Sequence, residues 1–253
     1  MPFVETATGA RLHYEAQGRG TAFILLHGLL GTAELHFPRV MTWLAPRFRV
    51  LGVSLRGYGA STPKPRDFPP RYYQRDAADV LALMDALQIR KAYLLGYSDG
   101  GETALVCAGL YPDRFHAVMS IGAVGWFGPE LLARQRVHPA DWITEDEKRQ
   151  HGLGDVDAFA LGWVAAMKGY SDAGGDISLG QADKITCPLL MMLGERDRLN
   201  PQAIGQRFVD RVPRGQLAMF DAGHPVHDDA WDAFTQVVDA FLEQVTPESP
   251  SAG

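Results

Sequence analysis

Cysteine is scarce in this chain of 253 residues, which carries only Cys107 and Cys187. Neither reads as half of a disulfide; both read as small buried hydrophobes, which suits a reducing compartment. No apolar run approaches the ~20 residues that a membrane span needs. The opening Met-Pro-Phe-Val-Glu-Thr lacks the charged-then-apolar pattern of a secretion signal, so a cytoplasmic location is expected. Positive charge is in deficit, with 24 Lys and Arg against 30 Asp and Glu and a formal net charge of -6. That balance argues against nucleic acid or an anionic membrane as partner. Internal repeats and long charge runs are missing as well. No His-Glu-x-x-His motif occurs, and His224-x-x-His227 has no third ligand at helical spacing, so neither a metal nor any other cofactor is expected. What remains is an apolar fraction of 46% in a chain long enough for one α/β domain with an insertion.

One stretch organises the rest. Gly96-Tyr97-Ser98-Asp99-Gly100 is the single Gly-x-Ser-x-Gly in the chain. It joins an apolar run of strand length, Ala92 to Leu95, to a run of helix formers, Thr103 to Leu110. A turn this tight strains its central residue and demands glycine on either side, where a Cβ would strike the neighbouring strand or helix. It also lifts the serine hydroxyl to a helix N-terminus, whose N–H groups stabilise negative charge. The plainer alternative is a serine that only caps the helix.

In chain order, residues 3–16 around Thr8-Gly9-Ala10 suggest a hairpin, and Ala22 to Leu26 a strand buried on both faces. The loop His27-Gly28-Leu29-Leu30-Gly31 follows. A helix is expected over 33–45, with Leu35, Val40, Met41 and Leu44 facing the core. Phe48 to Val53 reads as a strand, Tyr72 to Leu87 as an amphipathic helix and Ala117 to Ile121 as another strand. Strands then stop. Residues 126–182 contain a capping box at Thr144-x-x-Glu147 and a helix over Asp155 to Lys168, and read as a helical cap inserted into the sheet domain. Strands return at Pro188 to Leu193 and Gln216 to Phe220, before a C-terminal helix whose inward stripe includes Trp231, Phe234, Val238, Phe241 and Leu242. The expected fold is α/β, with a mostly parallel central sheet flanked by helices. Its core is formed by residues 1–125 and 183–246, and residues 247–253 form a disordered tail.

A serine hydroxyl needs a base, and the base an orienting acid, both beyond the carboxyl ends of later strands. After strand 188–193 stands Asp197, with Glu195 as its rival. After strand 216–220 stands His224, with His227 as its rival. The backbone N–H groups of Asp99 and Leu29 are the candidate oxyanion donors; residues 27–31 could instead be an ordinary glycine turn. Trp126, Phe127, Phe159, Trp163 and Met167 are candidate pocket residues. Phe159, Trp163 and Met167 recur at i, i+4 and i+8 on one helix face, a stripe that packing alone would also explain. The Asp99 side chain begins beside the place where negative charge would develop. It calls for a compensating cation from the protein or the substrate, unless it turns away.

The order Ser98, Asp197, His224 is that of the α/β-hydrolase fold. More narrowly, the chain resembles the valacyclovir hydrolase (biphenyl hydrolase-like) family over roughly residues 10 to 243. The similarity rests on Arg56-Gly57-Tyr58-Gly59-Ala60-Ser61, Arg66-Asp67-Phe68-Pro69, Leu95 to Gly101 with Thr103-Ala104-Leu105, Gly194 to Asp197, and Gly223-His224. It departs at Ser54-Leu55, where the family usually carries an acidic residue before Arg-Gly. The resemblance implies a Ser98–Asp197–His224 triad and α-amino acid esters as substrates. A serine esterase acting on a small-molecule ester through an acyl-enzyme is therefore expected, as a monomer or small homo-oligomer. A peptidase, lactonase, carbon–carbon bond hydrolase or cofactor-free perhydrolase would use the same residues, and a ligand-sensing receptor would keep the fold.

Overall fold

The computed structural model describes residues 2–132 and 140–245. Its strands are β1 (Phe3–Glu5), β2 (Arg11–Gln17), β3 (Ala22–Leu26), β4 (Arg49–Val53), β5 (Ala92–Tyr97), β6 (Phe115–Ile121), β7 (Leu189–Gly194) and β8 (Gly215–Phe220). They form an eight-stranded sheet in the order β1-β2-β4-β3-β5-β6-β7-β8. The first two strands pair antiparallel; from β4 onward every neighbouring pair is parallel. Because β3 lies between β4 and β5, the crossover from β3 to β4 and that from β4 to β5 run in opposite directions. The loops after β3 and β5 therefore open a crevice at the carboxyl edge, where open α/β sheets bind ligands.

The helices are α1 (Ala33–His36), α2 (Pro38–Leu44), α3 (Tyr72–Ala86), α4 (Asp99–Leu110), α5 (Pro129–Leu132), α6 (Glu145–His151), α7 (Val156–Asp172), α8 (Gln202–Val209), α9 (Val226–Asp229) and α10 (Trp231–Val245). Strand β3 shows why its run is unbroken: Phe23 and Leu25 join the core beneath α2 and α10, while Ile24 and Leu26 join the core beneath α3 and α4. Each buried side chain of this size contributes about 1.5–3 kcal/mol, so a strand apolar on both faces anchors both layers.

The helix expected over 33–45 is two helices. Pro38 opens the second, and Phe37 between them takes φ -130° and ψ 27°, which ends the first. The break turns Leu35 outward, 49% exposed, and gives its expected core place to Phe37. Helix α8, between β7 and β8, was not foreseen. At the Ser54-Leu55 departure, Leu55 is buried and its N–H donates to His27 Nε2, while the Ser54 carbonyl accepts from the Ser61 hydroxyl. Arg56 beyond them forms a buried pair with Asp79. Cys107 and Cys187 are free and buried, and burial raises both thiols, that of Cys187 to about 11.

Between β6 and β7 the described residues hold helices but no strand. The segment leaves and returns side by side, through a Trp126–Asp176 bridge and a Phe127 N–H donated to the Gly175 carbonyl at 2.7 Å. The capping box at Thr144 and Glu147 starts α6, and Asp155 caps α7. The tail expected from residue 247 lies outside the described residues. Among the described residues no helix is long and apolar enough to cross a membrane.

A Cβ on Gly100 would strike the carbonyl oxygens of Leu26 and His27, and one on Gly96 the carbonyl of Gly100. Overpacking against backbone costs about 1–3 kcal/mol or more. Gly100→Ala is expected to lower the urea midpoint accordingly, as read by circular dichroism. An unchanged midpoint would show that β3 and α4 can separate freely.

Candidate active site

Ser98 follows β5 with φ 53° and ψ -120°, a conformation L residues avoid, and its N–H donates to the Ile121 carbonyl of β6 at 2.8 Å. The strain turns the hydroxyl away from the sheet and starts α4 at Asp99. From the loop after β8, His224 Nε2 lies 2.9 Å from Ser98 Oγ. From the loop after β7, Asp197 Oδ2 lies 2.7 Å from His224 Nδ1. The structure thus brings Ser98, Asp197 and His224 into one chain of hydrogen bonds. Gly122, at φ +59°, leaves room for the imidazole, which a Cβ there would meet at 2.7 Å.

Burial alone would raise the Asp197 carboxyl. The His224 hydrogen bond and charge, Asn200 Nδ2 at 3.0 Å and the Leu199 N–H at 2.8 Å outweigh it and hold the group below its usual range. An ionised Asp197 orients a proton on Nδ1 and leaves Nε2 to accept from the serine. His227 points elsewhere: its Nε2 donates to the His36 carbonyl at 2.9 Å. Glu195 is exposed, whereas Asp197 is buried.

The loop after β3 lies against the serine, since a Cβ on Gly28 would stand 3.0 Å from that of Ser98. Three histidines shape it. His27 Nδ1 donates to the Gly28 carbonyl at 2.7 Å, His36 Nδ1 accepts from the Gly28 N–H at 3.1 Å, and His151 Nε2 donates to the Leu30 carbonyl at 2.9 Å. Burial depresses all three, His36 to about 4, so each stays neutral and able to accept. Among the described residues no hydrogen bond consumes the N–H of Leu29 or of Asp99, the first residue of α4.

Beside Ser98 lies a cavity of about 50 Å³, lined in part by Asp99, Trp126, Phe127, Trp163 and Met167. Phe159, expected with them, is not there. One turn earlier on α7, it packs on Phe68 and Tyr58, with ring centroids 5.3 and 6.4 Å away, so the stripe divides between pocket and core. The Asp99 side chain faces the cavity and accepts from Tyr73 Oη at 2.8 Å and Trp163 Nε1 at 3.2 Å. Both donors are neutral, and Arg66, the nearby cation, is engaged with Asp76 in a buried bidentate pair. Burial raises Asp99 to about 6 despite the Tyr73 bond, the Arg66 charge and the Trp163 bond. Glu102, one turn further along α4, also lines the cavity. Burial lifts it to about 7, although it accepts from the N–H groups of Val124 and Gly125.

Tyr73, Glu102, Ile177 and Asn200 were missed from sequence. Asn200 was within reach, three residues after Asp197 in the same loop; the others needed the fold.

Against known proteins, residues 21–173 match a family model described as the alpha/beta hydrolase fold. Serine hydrolase BPHL of Homo sapiens is 33% identical over 244 residues, 93% of this chain and 84% of that one. The enol-lactonase from Burkholderia xenovorans LB400 superposes with a TM-score of 0.71 at 25% identity, over 96% of this chain and all of that one. A hydrolase from Pseudomonas aeruginosa PA01 gives a TM-score of 0.76 at 24% identity, over 95% and 97% of the two chains.

An Asp raised from 3.8 to about 6 binds protons in the folded state that the unfolded chain has already released, so stability falls as pH rises through that window. The full effect amounts to about 3 kcal/mol. Asp99→Asn, which mimics the protonated form, is expected to be about 1–3 kcal/mol more stable than wild type at pH 8, with the gap narrowing at pH 5. Urea unfolding at the two pH values measures it. A gap that widens in acid would refute the assignment.

Proposed function

The chain belongs to the α/β-hydrolase fold family, and from that premise we propose that it is a serine hydrolase of small carboxylic esters, α-amino acid esters by preference. The observation that carries this reading is the run of contacts from Ser98 Oγ to His224 at 2.9 Å and from His224 to Asp197 at 2.7 Å. Ser98 attacks the ester carbonyl while His224 Nε2 takes its proton and ionised Asp197 stabilises the imidazolium. The N–H groups of Leu29 and Asp99 receive the developing oxyanion. His224 then protonates the leaving alcohol and, after the acyl-enzyme forms, activates the water that releases the acid. The helical segment 126–182 acts as the cap, supplying Trp163 and Met167 to the pocket. A cytoplasmic location fits the two free buried thiols.

Preference within the ester class follows from Asp99. A carboxylate at the oxyanion site opposes the reaction unless a cation compensates it, and both of its observed donors are neutral. An α-ammonium group, a few ångströms from the reacting carbonyl, supplies that cation. With Glu102 beside it, an anionic ester or lactone meets two carboxylates instead.

Ser98→Ala is expected to abolish ester turnover in a folded protein, and a fluorophosphonate probe to label Ser98 alone; labelling elsewhere would reject the triad. At pH 7 an alanine ester with a free amine should exceed its N-acetyl counterpart roughly ten- to a hundredfold in kcat/KM. The ratio should shrink below pH about 6 as Asp99 takes its proton, and collapse in Asp99→Asn. Equal rates on both esters in the wild type would remove the amino-ester preference and leave the esterase.

A further inference from the structure

Two cavities share one residue in their walls. The cavity at Ser98 offers about 50 Å³. It is the smaller of the two by more than tenfold. The second is a groove of about 740 Å³ between α3, the end of α4 and α7, lined by Phe68, Leu110, Ala165, Ala166 and Tyr170 among others. Ile177 lines both. Around it the wall alternates: Tyr73 faces the small cavity and Gln74 the groove, and Met167 faces the small cavity while Ala166 faces the groove.

The wall is held from several directions. Ile177 is 3% exposed, its N–H donates to the Gly125 carbonyl at 3.1 Å, and its own carbonyl accepts from Gln74 Nε2 at 3.1 Å. The Tyr170 hydroxyl donates to Gln74 Oε1 at 3.0 Å, which fixes that amide. The Gly125 carbonyl also takes the N–H groups of Ser178 and Leu179, and its own N–H donates to the Glu102 carboxylate. Glu102 thus acts through Gly125 on the position of residue 177.

We infer that Ile177 is the specificity-determining partition of this hydrolase, closing the acyl pocket and confining it to acyl groups of a few carbons. The inference rests on the serine-hydrolase reading, under which Asp99 holds the α-ammonium and so marks this cavity as the acyl side. A medium-length chain would need the groove, and Ile177 stands across the way.

The test compares p-nitrophenyl acetate, butyrate and octanoate. Wild type should turn over octanoate at least tenfold less efficiently than acetate, and Ile177→Ala should raise the octanoate-to-acetate ratio of kcat/KM about tenfold or more. Ile177→Val, a milder loss of volume, should give a smaller rise, which keeps the test open if the alanine variant is too unstable. Adding Ala166→Phe, which narrows the groove, should reduce the gain. A ratio unchanged in both variants would overturn the partition. A readout free of turnover separates this from a failed hydrolase reading: neutral octanamide should raise the Tm of the alanine or valine variant more than that of wild type, whereas butyramide should shift all of them alike. Equal shifts in wild type and variants would overturn the partition even if no ester is cleaved.

Discussion

A side chain at residue 100 would run into the carbonyl oxygens of Leu26 and His27, so the turn after β5 can lie on the end of β3 only with glycine there. Everything in the site follows from that approach. It brings Ser98 against Gly28, places the first N–H of α4 beside the loop after β3, and forces Ser98 into its positive φ. The strain is carried by the sheet: Ser98 donates to β6, and β5 is paired on both sides. His224 and Asp197 need no comparable distortion, because parallel register alone aligns the ends of β7 and β8 with that of β5.

The electrostatic pattern is unusual for a candidate hydrolase site, where negative charge would develop beside the serine. Two carboxylates on one face of α4, Asp99 and Glu102, are buried with neutral or backbone donors, and burial raises both. Neither improves the stability of the fold at neutral pH. Asp99 is open to the cavity and held by Tyr73 and Trp163 in an orientation that a substrate cation can meet. Glu102 is tied to the backbone of residues 124 and 125, and its part is to fix that loop.

The elements, and the three side chains that the structure joins by hydrogen bonds, were legible in the sequence because local signals carry them. An apolar run marks β3, a glycine-flanked serine marks the turn, and Asp197 and His224 each follow a strand. The break at Phe37 was masked by an apolar pattern that reads through it, although Pro38 was its signal. Phe159 failed as a pocket residue because i, i+4 spacing names a helix face, and that face runs from the pocket into the core beside Phe68 and Tyr58. Nothing local marks the histidines at 27, 36 and 151 as neighbours; only the crossing of α6 over the loop after β3 brings them together.

Those histidines and the two acids titrate in opposing senses. A histidine depressed when folded leaves the unfolded chain holding the extra proton. Stability is therefore lost as pH falls from about 6.5, for His36 down to about 4. Asp99 and Glu102 are raised when folded, so they lose stability as pH rises through about 6 and about 7. The two trends share the same window, and the chemistry decides which side of it the enzyme uses. Under the amino-ester reading Asp99 is ionised to meet a cation, and the loop histidines must be neutral to accept the N–H groups of Gly28, Leu55 and Gly59. Both conditions are met only above pH about 6, where the acids weaken the fold and the histidines no longer do. The site is therefore assembled at the expense of stability the acids would have kept in their protonated form, while the neutral histidines cost nothing there.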